Sequence, residues 1–126
     1  MFSSNQLVVL CIDDEPNILM LRQLLLSLAG YSVLTAANAE EALAAFTNHQ
    51  VDLVITDQLL PGRSGTEIAA EMKRLKPQVP IVLFTGLVDL PAGTEHMDLV
   101  LTKGITPPEF LTALASLTSP RSAGKA

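Results

Sequence analysis

The chain holds one cysteine, Cys11, in 126 residues. No intramolecular disulfide can form, which fits a reducing compartment. Within the apolar run Leu7 to Ile12, that cysteine reads as a small buried hydrophobe, not a reactive thiol. Basic residues are also few, with 8 Lys and Arg against 13 Asp and Glu and a net charge of −5. They are scattered, apart from Lys73, Arg74 and Lys76. A nucleic-acid surface needs clustered cations, so that class of partner is excluded. No apolar run approaches the ~20 residues that span a bilayer. Met1 to Gln6 carry no basic n-region and no apolar stretch of signal length. The expectation is a soluble, cytoplasmic protein with no nucleic-acid and no membrane partner. No internal repeat, linker or second domain is expected from the pattern of these residues. One domain is expected over residues 1–118, followed by a small, polar, disordered tail over 119–126.

What is present points to a globular core. Apolar residues make up 48% of the chain and charged residues 17%. A domain of this length buries roughly two thirds of its unfolded surface and folds without staples. Short apolar runs alternate with stretches of helical period. Leu7 to Ile12, Ser32 to Ala36, Val51 to Thr56, Ile81 to Phe84 and Leu99 to Leu101 read as strands. After the first strand, Pro16 suits a first helical turn. Ile18, Leu21, Leu25 and Leu28 then recur at spacings of three and four, and Gly30 suits the helix end. Asn38 and Glu41 look like a capping pair for a helix over Ala39 to about Asn48. A third helix is expected from about Gly65 to Leu75, and a last one from Pro107 to near Leu117.

Strands that are apolar on both faces must be covered on both faces. The expected fold is therefore a three-layer α/β/α sandwich around a five-stranded parallel sheet. Such sheets bind ligands beyond the carboxyl ends of their strands. Those positions carry Asp13, Asp14 and Glu15 after the first strand, and Asp57 after the third. Thr85 and Gly86 follow the fourth, and Lys103 follows the fifth. A single acid at a strand end is commonly a helix cap. Asp13, Asp14 and Asp57 converging with a hydroxyl and an ammonium exceed what capping explains. Their repulsion calls for a cation. Oxygen-only ligands select a hard ion, and few protein oxygens favour Mg²⁺ over Ca²⁺. With no Cys or His beside the cluster, zinc is disfavoured. A carboxylate beside Mg²⁺ can attack phosphorus and form an aspartyl phosphate. Lys103 would bind a phosphoryl oxygen and Thr85 would report the product.

These residues resemble response-regulator receiver domains from Leu7 to about Leu117. The likeness rests on Ile12-Asp13-Asp14-Glu15-Pro16 and on Asp57-Gln58-Leu59-Leu60-Pro61-Gly62-Arg63-Ser64-Gly65. It rests also on Pro80-Ile81-Val82-Leu83-Phe84-Thr85-Gly86 and on Leu101-Thr102-Lys103. The resemblance implies the flavodoxin-like strand order 2-1-3-4-5. It implies a phosphoacceptor at Asp57, charged by a histidine kinase or histidine phosphotransfer protein. Direct Mg²⁺ ligands would be Asp14, Asp57 and the Leu59 backbone carbonyl, with Asp13 helping. Phosphate-binding and switch positions would be Gln58, Thr85, Gly86, Val100 and Lys103. The protein would not be an enzyme beyond self-phosphorylation and slow autodephosphorylation, since the apolar Leu59 and Leu87 flank the approach of water. It would act as a stand-alone receiver on an unidentified downstream protein, with room for a weak homodimer.

Three features depart from the family pattern. Gly104 stands where proline usually follows the lysine, so the Lys103–Gly104 bond is expected to be trans. Val100 stands where a switch aromatic is usual. Thr85 and Lys103 lie 18 positions apart, about one helical turn (~4 residues) short of the usual spacing. Pro91 and Gly93 weaken helix between them, so the fourth helix is expected to be shortened or unwound, and activation to act through residues 86–98. The alternative is a pseudo-receiver, a binding module independent of phosphorylation. A phosphatase with an aspartyl nucleophile is disfavoured because Leu59 cannot serve as its general acid. A flavodoxin-type cofactor binder is disfavoured because no phosphate-cradling loop follows the first strand.

Overall fold

The computed structural model describes residues 6–86 and 93–124. Five strands form one parallel sheet in the order β2-β1-β3-β4-β5. They are β1 (Val8–Ile12), β2 (Ser32–Ala36), β3 (Leu53–Asp57), β4 (Ile81–Thr85) and β5 (Leu99–Thr102). Four α-helices cover them: α1 (Pro16–Leu28), α2 (Ala39–Asn48), α3 (Gly65–Leu75) and α4 (Pro107–Gly124). This is the expected three-layer α/β/α sandwich of flavodoxin type. Alternate residues of each strand feed opposite faces. Leu10, Ile12 and Val54 pack with Phe46 of α2 and Ile68 and Met72 of α3. Val9, Cys11, Leu53 and Ile55 pack with Leu26 of α1 and Phe110 and Leu114 of α4.

Local chemistry explains most of the boundaries. The Asn38 side chain accepts from the Glu41 amide at 2.9 Å, capping α2. The Glu41 carboxylate reaches back to the Ala37 amide, one residue earlier than a standard capping box. Ser64 and Glu67 form a complete box on α3. At the end of α1, Tyr31 N–H donates to the Leu26 carbonyl and Gly30 N–H to that of Ser27. That double bond pattern needs a left-handed residue, and Gly30 supplies it at φ +102°. The sequence placed the end of the last helix near Leu117, but its backbone stays helical to Gly124.

The segment between β4 and β5 is short. Its described part is a 3₁₀ turn over Thr94–His96, and among the described residues no α-helix intervenes. Leu87 and Pro91 lie outside the described residues. Asp98 fixes the return into the sheet. Its carboxylate accepts from Ile81 N–H at 2.7 Å and pairs with Lys73 at 2.8 Å.

Helix α1 corrects one expectation. The spacing of Ile18, Leu21, Leu25 and Leu28 predicts an apolar stripe that would face the core. In the structure Leu21 is 64% and Leu28 is 78% exposed, while Leu26 is buried. The helix is apolar nearly all round, so periodicity alone cannot set its phase. Its inward face runs through Leu19, Leu25 and Leu26, so Leu25 is the member of the stripe that packs on this core.

Cys11 is buried in the sheet, as expected. Loss of hydration pushes its thiol up to about 12 from 9.0, opposed by nearby Arg22 and helped by Asp13. The unfolded thiol ionises first, so this group weakens the fold only as pH rises from about 9 toward 12. Cys11 is expected to resist thiol-specific labelling in the native protein at pH 8 and to react on denaturation, as a colorimetric thiol assay would show. Rapid native labelling would mean the sheet opens locally.

Candidate functional site: a carboxylate cluster at the sheet edge

The parallel register assembles the cluster. Ile12 lies level with Thr56 across β1 and β3, so Asp13 and Asp57, each one residue further, come side by side. These strands flank the point where strand order reverses, the crevice that open α/β sheets use for ligands. Asp57 is the last residue of β3, and Thr85 the last of β4. Both belong to the strands rather than following them, so the rigid sheet positions them.

One carboxylate oxygen each from Asp13, Asp14 and Asp57 lies within 4.8 Å of the others. Asp13 and Asp57 are buried, and Asp14 is exposed. Asp13 Oδ1 accepts from Glu15 N–H at 3.0 Å. The other Asp13 oxygen is buried with no hydrogen-bond partner among the described residues. That oxygen faces the Arg22 guanidinium at 3.7 Å without a hydrogen bond, so its bonding capacity is unfilled, and the all-oxygen donor set of the three carboxylates fits a hard cation such as Mg²⁺.

Lys103 Nζ lies 2.9 Å from Asp57 Oδ1, and its side chain is about half exposed. Its backbone N–H donates to the Thr85 carbonyl at 2.9 Å, tying the end of β5 to that of β4. Thr85 is buried beside it. Among the described residues no peptide bond is cis. Gly104 stands at φ +111°, a conformation closed to proline, so the loop holding Lys103 has its own geometry. Val100, level with Leu83 in the register, is half-buried. Gly86 lies beside the stem of Lys103.

Gln58 and Leu59 follow Asp57 in the loop toward α3. The buried Gln58 amide is turned to α3, accepting from Thr66 N–H at 3.1 Å and donating to Thr66 Oγ1 at 3.4 Å. The Leu59 side chain is exposed. Gly65 then brings the start of α3 against the backbone of Asp57. A Cβ on Gly65 would overlap the Asp57 carbonyl oxygen.

Sequence reasoning missed two contributors. Gly65 was seen only as part of a motif, and its close approach is a tertiary fact. Arg22 was not singled out. Its guanidinium sits 3.7 Å from Asp13 Oδ2 and 4.5 Å from the centroid of the Phe84 ring. The available signal was one cation in an otherwise uncharged thirteen-residue helix.

Residues 9–115 match the family described as "Response regulator receiver domain". Response regulator TrrA from Thermotoga maritima, solved in complex with Mg(2+)-BeF, is 34% identical with a TM-score of 0.84, over 89% of this chain and 99% of that one. TrrA in complex with histidine kinase ThkA gives a TM-score of 0.83 at 34% identity, over 90% of this chain and 99% of that one. The alkaline phosphatase synthesis transcriptional regulatory protein PhoP of Bacillus subtilis is 33% identical over 104 residues, 82% of this chain and 41% of the relative. The chain spans half the length or less of curated relatives such as this and the PhoB regulator of Pseudomonas aeruginosa, of which it covers 50%. Among the described residues no helix is long and apolar enough to cross a membrane. By its matched span, its strand order and the family motifs along its carboxyl edge, the chain belongs to the response regulator receiver domain family of two-component systems.

Proposed function

We propose that Asp57 accepts a phosphoryl group from a phosphohistidine donor and that the charged protein then docks on a partner protein. The observation that supports this most is the convergence of three carboxylates with Lys103 on one sheet edge. An oxygen of Asp57 would bond to phosphorus as the bond from phosphorus to the donor nitrogen breaks; that nitrogen keeps the electron pair, and the ring, protonated on its other nitrogen, leaves as neutral imidazole. The pair with Lys103 orients the Asp57 carboxylate before the donor arrives. As charge builds on the phosphoryl oxygens, the half-exposed ammonium is free to follow it. Asp14, Asp57 and the Leu59 carbonyl would hold Mg²⁺, with Asp13 beside it. When bound, Mg²⁺ neutralises charge on the transferring group. The intact set of acids and lysine weighs against the pseudo-receiver reading.

The experiment is intact-mass spectrometry after incubation with acetyl phosphate. One added phosphoryl group is expected with Mg²⁺ and none with a chelator. Label that ignores the chelator would defeat the Mg²⁺ reading, and no label under any condition would favour the pseudo-receiver. The same time course reads loss of label, which the apolar, exposed Leu59 is expected to keep slow.

A histidine kinase is the proposed donor, by analogy with the TrrA complex. Beside the site, α1 exposes Met20, Leu21, Leu24 and Leu28. A groove of about 300 Å³ between α1 and α4 adds Ile18, Leu25, Phe84 and Phe110. Burying each leucine on a partner would contribute roughly 1.5–3 kcal/mol. Leu21→Gln is therefore expected to slow transfer from the kinase about tenfold, equivalent to about 1.4 kcal/mol. Labelling by acetyl phosphate should not change, since a small donor needs no docking face. Equal loss with both donors would show that α1 acts on the site and not on the kinase.

A further inference from the structure

We infer that Arg22 is a built-in counter-ion of the carboxylate cluster, which competes with the divalent cation for Asp13 and so sets the metal affinity of the site. This rests on the Mg²⁺ reading above and concerns how tightly that ion is held.

Arg22 lies on the inward side of α1, with a side chain only 10% exposed, facing an Asp13 that is 2% exposed. Burying a guanidinium among apolar side chains is unfavourable unless an anion compensates, and a leucine would fill the same space without that penalty. Asp13 is the anion within reach, with 3.7 Å between Nη1 and Oδ2. That separation supports Coulomb attraction but exceeds hydrogen-bonding distance. Both atoms are buried, and neither has a hydrogen-bond partner among the described residues. Asp13 therefore keeps one oxygen directed at a cation yet unbonded to it, which leaves that oxygen able to serve a second positive charge.

The cluster already holds two positive side chains. Lys103 pairs with Asp57 and Arg22 with Asp13, while Asp14 has no basic partner among the described residues. A divalent cation must share two of its three carboxylates with these groups. The two cations differ in freedom. Lys103 is 47% exposed and can turn away as the ion or a phosphoryl group enters. Arg22 cannot withdraw as easily. Its guanidinium lies over the Phe84 ring at 4.5 Å, and that ring packs on Phe110 at 5.4 Å. Its repulsion of the bound ion therefore persists in the loaded site. In the empty site the same charge relieves the repulsion among the three acids. Both effects act in one direction: Arg22 favours the empty site over the occupied one.

The test is calorimetric titration of the full chain with Mg²⁺, comparing the native protein with Arg22→Gln and Arg22→Lys. Glutamine keeps a donor near Asp13 without the charge, and lysine keeps the charge. Arg22→Gln should bind Mg²⁺ about tenfold more tightly, and Arg22→Lys should stay within about twofold of the native protein. Melting temperatures give a second reading. Without metal Arg22→Gln should melt lower than the native protein, and Mg²⁺ should raise its melting point by more. Unchanged or weaker Mg²⁺ binding by Arg22→Gln, with the native protein binding normally, would overturn the counter-ion role. Failure of all three proteins to bind Mg²⁺ would overturn the metal reading, and the role of Arg22 with it.

Discussion

Asparagine at position 57 is expected to abolish phosphoryl uptake while leaving the fold intact. The amide is nearly isosteric with the carboxylate, and Asp57 is held by the end of β3 rather than by its own side chain. What is lost is the anionic oxygen that attacks phosphorus, because an amide cannot form the acyl phosphate. The ion pair with Lys103 goes too. That lysine is half exposed, so water takes over its solvation and the stability change should be small. Labelling by acetyl phosphate or by a kinase should fall more than about a hundredfold, a barrier increase of about 2.7 kcal/mol or more. Intact-mass spectrometry measures the label, and circular dichroism confirms that the fold remains. Residual labelling of the variant would place the acceptor elsewhere, with Asp13 and Asp14 the alternatives in the cluster.

Gly65→Ala should be strongly destabilising, for a reason that helix propensity opposes. Gly65 opens α3, where alanine is about 1 kcal/mol better than glycine on propensity alone. The new methyl group would overlap the carbonyl oxygen of Asp57, and the atoms beyond it are the backbone of Asp57 and Gln58. Backbone at the end of a central strand has no rotamer to change, so the helix or the strand must shift. Forced overpacking of this kind costs about 1–3 kcal/mol or somewhat more, which outweighs the propensity gain. With the upper part of that cost, a melting temperature lower by about 5 °C is expected from calorimetry. Phosphorylation should fall as well, because the residue displaced is the acceptor. A variant as stable as the native chain would mean that α3 can retreat without disturbing Asp57.

Which parts of this were legible in the sequence follows from how local each feature is. The strands announced themselves, because a strand buried on both faces must be apolar throughout, as in Val-Val-Leu-Cys-Ile of β1. The caps at Asn38 and Ser64 are single-residue chemistry and need no tertiary knowledge. The site was legible because a parallel sheet delivers every strand end to one edge, so Asp13, Asp57, Thr85 and Lys103 converge without long-range information. The phase of α1 was not legible. A helix bearing Ile18, Leu19, Met20, Leu21, Leu24, Leu25, Leu26 and Leu28 offers several equivalent apolar stripes, and only packing decides among them. The burial of Arg22 follows from that same packing. The reach of Gln58 into α3 and the approach of Gly65 to Asp57 were hidden likewise, since both depend on where one helix starts relative to one strand. The left-handed Gly104 explains after the fact why the residue following Lys103 is not proline.

The most direct measurement is the chemical identity of the phosphorylated residue. Protein labelled with acetyl phosphate and Mg²⁺ can be reduced with borohydride, which converts an aspartyl phosphate to homoserine at the position that carried it. Peptide sequencing by mass spectrometry then reads the position. Homoserine at residue 57 alone is the expected result. Homoserine at Asp13 or Asp14, or a label that resists borohydride as a phosphorylated hydroxyl does, would contradict the assignment of Asp57 as the phosphoacceptor.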